Sequence, residues 1–329
     1  MLRVAMLSGW HVHAKGYAST VNSFPDAKVS VVWDEEPKRG KVWAAELNVP
    51  FEPDLKKCVA RDDVDGVVVD APTSMHPEVM IAAAKAGKHI FTEKVMALTG
   101  KGCERISAAV RKAGVKFCIS MPQRCSPASL FAKKVADEGL IGDVTLLRVR
   151  VAHNGASANW LPAHFYVPDT CGGGAMMDLG AHPMYLARWI LGKPTRILSM
   201  FNDRTGHAVE DNSVCLIEFA SKAIAVVETS FVSSHSPGAL ELYGTEGALI
   251  IGGSDGRVQF RSNKISSSVA GWIAPSDLPK PLPPPLRQWV SGCLEGSEIH
   301  FGLQDGTQLT ELMQNAYLAH SRGRQVEFK

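Results

Sequence analysis

At 329 residues, 45% of them hydrophobic and 21% charged, the chain is long enough for two domains of ordinary size. Its 35 Lys and Arg stand against 33 Asp and Glu, and the net +2 is spread without a run of like charge, which argues against nucleic acid or a membrane surface as partner. No apolar stretch reaches the roughly 20 residues that cross a bilayer. The N-terminal MLRVAML lacks the basic lead and cleavage site of a signal peptide, and the seven scattered cysteines have no metal-ligand spacing. A soluble cytoplasmic protein with reduced thiols and no metal is expected.

Short β-branched runs at 2–7, 29–33, 67–70, 89–91 and 116–120 alternate with helix-length stretches, among them 77–86 and 102–113, the latter closed by Gly114. That alternation predicts an α/β, doubly wound parallel sheet over 1–121. From 122 the rhythm changes. A helix over about 129–138 leads to strands at 144–152, 196–202, 213–219, 223–232 and 239–243, which predicts an α+β second domain with an open, mainly antiparallel sheet over 122–329. One helix interrupts those strands, at about 175–191. The Pro-rich stretch 275–285 is expected to run extended before a final helix at about 305–321, packed back toward the first domain.

A dinucleotide fold places a glycine turn after its first strand, so that amides at a helix N-terminus meet the pyrophosphate. Here Ser8, Gly9, Trp10, His11 and Val12 occupy that place, with only the middle glycine of GxGxxG surviving at Gly9. A plain tight turn would look the same. Asp34, ending the second strand, suits the two adenosine ribose hydroxyls and repels a 2′-phosphate, which favours NAD over NADP; Lys38 and Arg39 soften that preference, and Asp34 also reads as a helix N-cap. The segments holding Ala71, Pro72, Thr73 and His76, and then Glu93 and Lys94, follow the third and fourth strands, at the edge where open α/β sheets take ligands. Gln123 completes the candidate cofactor set. Alone, Lys94 reads more readily as a solvated surface charge, as most lysines do.

In the second half, a glycine run at 172–174 opens a helix carrying Asp178 and His182 four residues apart, one turn from each other on one face. A carboxylate beside an imidazole makes a general base near neutral pH, although a local hydrogen bond on an exposed helix has the same signature. A metal held by His11, His13, Asp178 and His182 has no recognised spacing behind it. Alcohol oxidation needs a base for the hydroxyl proton and a positive donor at the developing alkoxide, and Lys94, Asp178 and His182 are that inventory. His153, Asn154, Trp160 and His164 are candidate contacts for a polyhydroxylated ring, or packing.

With these residues in place the chain resembles the Gfo/Idh/MocA family of NAD(P)-dependent sugar and inositol dehydrogenases. The carriers are the turn at Gly9-Trp10, the Pro72…His76 segment, Glu93-Lys94 in the place of EKP, GGGAMMDLGAH similar to GGGxxxDxGxH, Glu210-Asp211, and the turn at 243–247. The resemblance implies Lys94 at the reacting hydroxyl and nicotinamide, His182 as general base, and Asp178 orienting substrate or base. It also implies a homodimer or homotetramer formed through the second sheet. Leu7 and Val12 depart from the glycine fingerprint, and Val95 stands where the family has proline, which frees the backbone after Lys94. Two competing readings share the fold: a non-catalytic NAD or sugar sensor, and an NAD-dependent glycosidase that oxidises its substrate transiently.

Overall fold

The computed structural model describes residues 1–265 and 271–328. Contacts gather into two units, Met1–Met121 with Pro283–Thr310, and Pro122–Leu282 with the chain from Glu311 onward.

Unit 1 is built on five strands, β1 (Leu2–Leu7), β2 (Ala27–Trp33), β3 (Gly66–Val69), β4 (His89–Thr92) and β5 (Phe117–Ile119), with helices α1 (Ala14–Ser23), α2 (Pro37–Glu46), α3 (Leu55–Ala60), α4 (His76–Lys85) and α5 (Gly100–Ala113) between them. The strand order is β2-β1-β3-β4-β5, and every pairing is parallel. The strands are nearly continuous runs of Val, Ile and Met buried on both faces, as parallel sheets require. Thr99 caps α5 by accepting the Gly102 amide at 3.2 Å, and Gly114 ends it in the left-handed conformation.

Unit 2 opens with helix α6 (Pro127–Asp137), capped by Ser126, whose hydroxyl accepts the Ser129 amide at 3.2 Å. After it come β6 (Val144–Ala152), the short helices α7 (Pro168–Cys171) and α8 (Ala175–Asp178), α9 (Ala181–Leu191), then β7 (Pro194–Asn202), β8 (Asn212–Phe219), β9 (Ile224–Ser230), β10 (Ala239–Gly244), β11 (Gly247–Gly252) and β12 (Arg257–Ser262). The chain then gives α10 (Pro285–Glu295) to unit 1. Helix α11 (Leu303–Arg322) belongs to unit 1 through Thr310 and to unit 2 from Glu311, and β13 (Val326–Glu327) closes the eight-stranded sheet of unit 2. Its order is β12-β11-β10-β6-β9-β8-β7-β13, antiparallel except where β6 meets β9. Alternation along β7 and β8 is clean: Ile197, Ser199, Phe201, Cys215 and Ile217 are buried, while Leu198, Met200, Val214 and Leu216 face outward.

The fold expected from the sequence is therefore present, with corrections. Residues 283–310 join the first unit, not the second, because α10 seats Trp289, fully buried, on Gly66 of β3, where a β-carbon would meet the indole at 2.8 Å. That helix starts at Pro285, where the sequence reading had only an extended segment. Proline at a first helical position costs no hydrogen bond, so the Pro-rich run ends by starting a helix. Strands β11, β12 and β13 were also unread. All seven cysteines are free thiols, six of them buried. Among the described residues no helix is long and apolar enough to cross a membrane.

Candidate active site

The turn after β1 takes its shape from Ser8, whose φ of 80° lies in the left-handed region, and not from either fingerprint position that has lost its glycine. Leu7 is an ordinary buried strand residue, and Val12 is 46% exposed at the mouth of the turn. Ser8 Oγ accepts the Trp10 amide at 3.0 Å, and the His11 amide reaches the Asp70 carbonyl at 3.1 Å. Trp10 is buried. Gly9 stands against Trp43, where a β-carbon would come within 3.2 Å of the indole.

Asp34 is engaged within the protein. Its side chain is fully buried and spends both oxygens on protein donors: Oδ2 accepts the Gly9 amide and Arg39 Nε, each at 2.9 Å, and Oδ1 accepts the Glu36 amide and Arg39 Nη2, each at 2.7 Å. It is a brace between the turn and α2, whose N-cap is Glu36. Arg39 also pairs with Glu35 at 2.5 Å and Glu36 at 3.4 Å. Three carboxylates thus surround one guanidinium. Glu35 Oε2 is buried and, among the described residues, takes no hydrogen bond. An acceptor without a donor, inside a net negative cluster, fits the hydroxyls of a dinucleotide ribose.

After β3, Ala71 and Thr73 are buried, and Pro72 precedes a single 3-10 turn, Thr73–Met75. His76 is spent structurally: Nε2 lies 3.0 Å from the Ala71 carbonyl and Nδ1 2.9 Å from the Val95 carbonyl. Burial pushes its pKa down to about 4, against the pull of those carbonyls. The ring ties the segment after β3 to the segment after β4.

Lys94 is 6% exposed, so the solvated-charge reading fails. The Lys94–Val95 peptide is cis. Beside Lys94, the buried Glu93 carboxylate accepts the Lys94 amide at 2.8 Å, His13 Nδ1 at 2.9 Å and the Tyr17 hydroxyl, which also meets Ser120 Oγ at 2.7 Å. Burial alone would raise the Glu93 pKa, but His11, the His13 bond and Lys94 outweigh it and hold the carboxyl well below its usual range. Asp70 behaves oppositely. Burial and the nearby Glu93 charge push its pKa well up, and among the described residues neither of its carboxyl oxygens has a hydrogen-bond partner. Tyr17 is likewise raised, by burial first and then by Glu93 and Asp70.

In unit 2 the glycine run is a matter of space. A β-carbon at Gly173 would sit 1.9 Å from the Tyr317 hydroxyl, and one at Gly174 1.9 Å from the Glu210 carbonyl. Glu210 turns its carboxylate onto the start of α8: Oε2 accepts the Gly174 amide at 3.0 Å and Oε1 the Met176 amide at 2.9 Å. A carboxylate there also opposes the positive helix end. The expected single helix over 175–191 is broken. Asp178 ends α8, and His182 is the second residue of α9, its amide bonding the Leu179 carbonyl at 3.0 Å in a three-residue step. The break lies at Gly180, where a β-carbon would meet Met176 Sδ at 2.4 Å. The four-residue spacing therefore does not put the two side chains on one continuous helix face.

His182 Nδ1 meets the Tyr185 hydroxyl at 2.9 Å, and that oxygen also accepts the Gln123 amide at 3.2 Å. Gln123 lies in a 3-10 turn of unit 2. His153 stacks on Phe231 with ring centroids 5.0 Å apart, and Trp160 tilts against it at 4.6 Å. Burial lowers the His153 pKa while the Asp178 charge raises it, which brings Asp178 into the same neighbourhood. Asn154 Oδ1 accepts the Trp160 indole N–H at 3.3 Å. His164 stands in a 3-10 turn beside Phe165, which packs into a small core with Leu161 and Phe231.

Comparison with known proteins bears directly on this arrangement. Residues 5–121 match the oxidoreductase family with an NAD-binding Rossmann fold, and residues 130–250 match the GFO/IDH/MocA C-terminal domain. The chain belongs to the Gfo/Idh/MocA family of oxidoreductases. It is 31% identical to scyllo-inositol 2-dehydrogenase (NAD(+)) of Bacillus subtilis (strain 168) over 252 residues, 74% of this chain and 70% of that protein. Among solved structures it is similar to GenD2 from gentamicin A biosynthesis in complex with NAD, 25% identical with a TM-score of 0.83, covering 100% of this chain and 96% of that one. It shares the fold of levoglucosan dehydrogenase in complex with NADH and levoglucosan at 22% identity and a TM-score of 0.84, covering 99% of each chain. As in the rest of the Gfo/Idh/MocA family, the first unit is an NAD-binding Rossmann domain.

Sequence reasoning passed over Tyr17, Asp70, Tyr185 and Tyr317 as functional residues. Tyr185 had a legible signal, three residues beyond His182. Tyr17 and Tyr317 reach their carboxylates across the fold and left none.

Proposed function

We propose that this member of the Gfo/Idh/MocA family reversibly oxidises a secondary hydroxyl of a sugar, sugar acid or cyclitol, with NAD as its dinucleotide. Bound nicotinamide supplies a two-electron hydride acceptor. In this reading His182 is the base: with Nδ1–H directed at the Tyr185 oxygen, its Nε2 lone pair takes the hydroxyl proton as the alcohol becomes a ketone. Lys94 stabilises the developing alkoxide, and its burial strengthens that interaction. Asp178 orients the substrate or the base. Ser8 to Val12, with the segments around Thr73 and Glu93, line the dinucleotide edge.

The observation that carries the reading is the tyrosine-held imidazole of His182 in the DxGxH place of a chain whose relatives are named as dehydrogenases of inositol. The acids around Arg39 favour NAD, since Asp34, Glu35 and Glu36 outnumber the one guanidinium and repel a 2′-phosphate. His153, Trp160 and Phe231 form an aromatic group suited to the C–H faces of a ring, with the Asn154 amide beside it.

A homo-oligomer through the second sheet is part of this proposal. On its outer face Leu198 pairs with Leu216 and Met200 with Val214, all exposed, Met200 at 75%. Exposed apolar side chains paired across two strands support an interface on this face. The test of the function is a panel of inositols, aldoses and sugar acids with NAD⁺ and NADP⁺, read at the NADH absorbance. Stoichiometric NADH from at least one polyol is expected; turnover of a glycoside without net NADH would instead favour transient oxidation.

A further inference from the structure

Two histidines crowd the first turn of unit 1, and the proposed oxidation assigns neither imidazole a chemical role. The backbone holds them in place. The His11 amide donates to the Asp70 carbonyl at 3.1 Å, the Ala14 amide returns to the His11 carbonyl at 3.1 Å, and the His13 amide lies 3.2 Å from His11 Nδ1. The two rings meet edge to face with centroids 4.7 Å apart. His13 Nδ1 is 2.9 Å from Glu93 Oε1. One ligand-type atom from each of His11, His13 and Glu93 lies within 4.8 Å of the other two.

The carboxylate of this trio is already placed as a ligand. It is buried and oriented by hydrogen bonds from the Tyr17 hydroxyl and the Lys94 amide, the kind of outer support that fixes metal ligands. Both carboxyl oxygens of nearby Asp70 are buried and, among the described residues, without a hydrogen-bond partner. β1, β3 and β4 are adjacent in the sheet, so the carboxyl ends of three neighbouring strands deliver His11, Asp70 and Glu93 to one place.

We propose that His11, His13 and Glu93 form a binding site for a divalent cation of the zinc and cobalt class. Two imidazole nitrogens and one carboxylate oxygen suit such ions better than the all-oxygen cations magnesium and calcium. The ion replaces the proton that His13 shares with Glu93, and bonds of about 2.1 Å draw the three ligand atoms closer together. Three protein ligands leave positions open to water or another oxygen ligand. The site lies within unit 1 and does not depend on the substrate or reaction proposed above.

The test is titration of the chelator-stripped full chain with Co²⁺, without nucleotide, followed by its visible d–d absorption and then by displacement with Zn²⁺. One equivalent of Co²⁺, displaced by Zn²⁺, is expected. Tyr17→Phe removes a support of the Glu93 ligand and weakens affinity by about 10- to 100-fold. His13→Ala removes a half-exposed ring, leaves the circular dichroism spectrum unchanged, and weakens affinity by at least that factor. The proposal is overturned if the stripped, folded chain takes up no stoichiometric Co²⁺ or Zn²⁺, or if His13→Ala and His11→Ala bind like the parent. Neither result depends on whether the substrate panel yields NADH.

Discussion

Tyr317 donates its hydroxyl to Glu210 Oε1 at 2.6 Å, so the last helix holds the carboxylate that caps α8. Glu210 is satisfied by three donors at once, two of them the Gly174 and Met176 amides. The short helix that ends at Asp178 starts from that anchor.

Replacing Glu210 with Gln turns an amide donor toward backbone donors in a buried site and should cost about 1–3 kcal/mol in urea unfolding. Tyr317→Phe removes one donor and should cost about 1 kcal/mol. Glu210 also carries a pH signature. Burial raises its pKa above the ordinary 4.5, although Tyr317 and the amides oppose the rise. A raised acid binds its proton more tightly folded than unfolded, so its contribution is complete below 4.5 and is lost as pH rises through the folded value. The stability advantage of the parent over Glu210→Gln should therefore shrink with rising pH. A gap that widens would refute this.

Among the described residues, Arg39 is the side-chain cation on the buried Asp34 carboxylate. Arg39→Ala leaves that charge with two amide donors alone, and a loss of about 2–3 kcal/mol is expected, below the full cost of breaking a buried pair because Arg39 is 26% exposed. Arg39→Lys keeps the charge without the fork and should recover part of the loss. Removing the guanidinium also makes the cluster more negative, so the NAD⁺ to NADP⁺ ratio of kcat/KM should rise.

These anchors show how far the sequence could be read. β1 and β6 were legible to the residue, because apolar runs and strict alternation are local properties. α10 was not, since its reason for forming is Trp289 finding Gly66 more than two hundred residues away. In the site, residue types were legible and partners were not. Asp34 looked like a ribose ligand because of its place at the end of β2, but the guanidinium that occupies it sits one helical turn later and the spacing alone does not say which way it folds. The Asp178 and His182 spacing suggested one helix face, and only the contact of Gly180 with Met176 reveals the break.

The outer face of the second sheet offers a separate test. Met200→Lys with Leu216→Lys places charges on two of the paired apolar positions without touching the buried face. Light scattering should show the parent as an oligomer and the double variant shifted to the monomer, with the far-ultraviolet spectrum retained. A parent that is already monomeric at high concentration would remove the oligomer from the proposal.

Lys94 and His182 give the most direct test of the proposed chemistry, because loss of a proton acceptor and loss of a charge stabiliser differ in the pH profile. His182→Gln keeps a polar side chain of similar reach but removes the base, so kcat should fall by about 10²- to 10⁴-fold while KM changes little. The acid limb of the kcat profile, set by protonation of the base, should vanish with it. Lys94→Met keeps much of the buried stem and removes the ammonium. It should lower kcat by a similar factor, and it also takes a nearby positive charge from Glu93, one of the causes that hold that carboxyl low. NADH binding, followed by fluorescence, should survive His182→Gln, since that residue belongs to unit 2 and the Rossmann domain is left intact. Full turnover in both variants would leave the chain a dehydrogenase by family only, with its proton acceptor elsewhere.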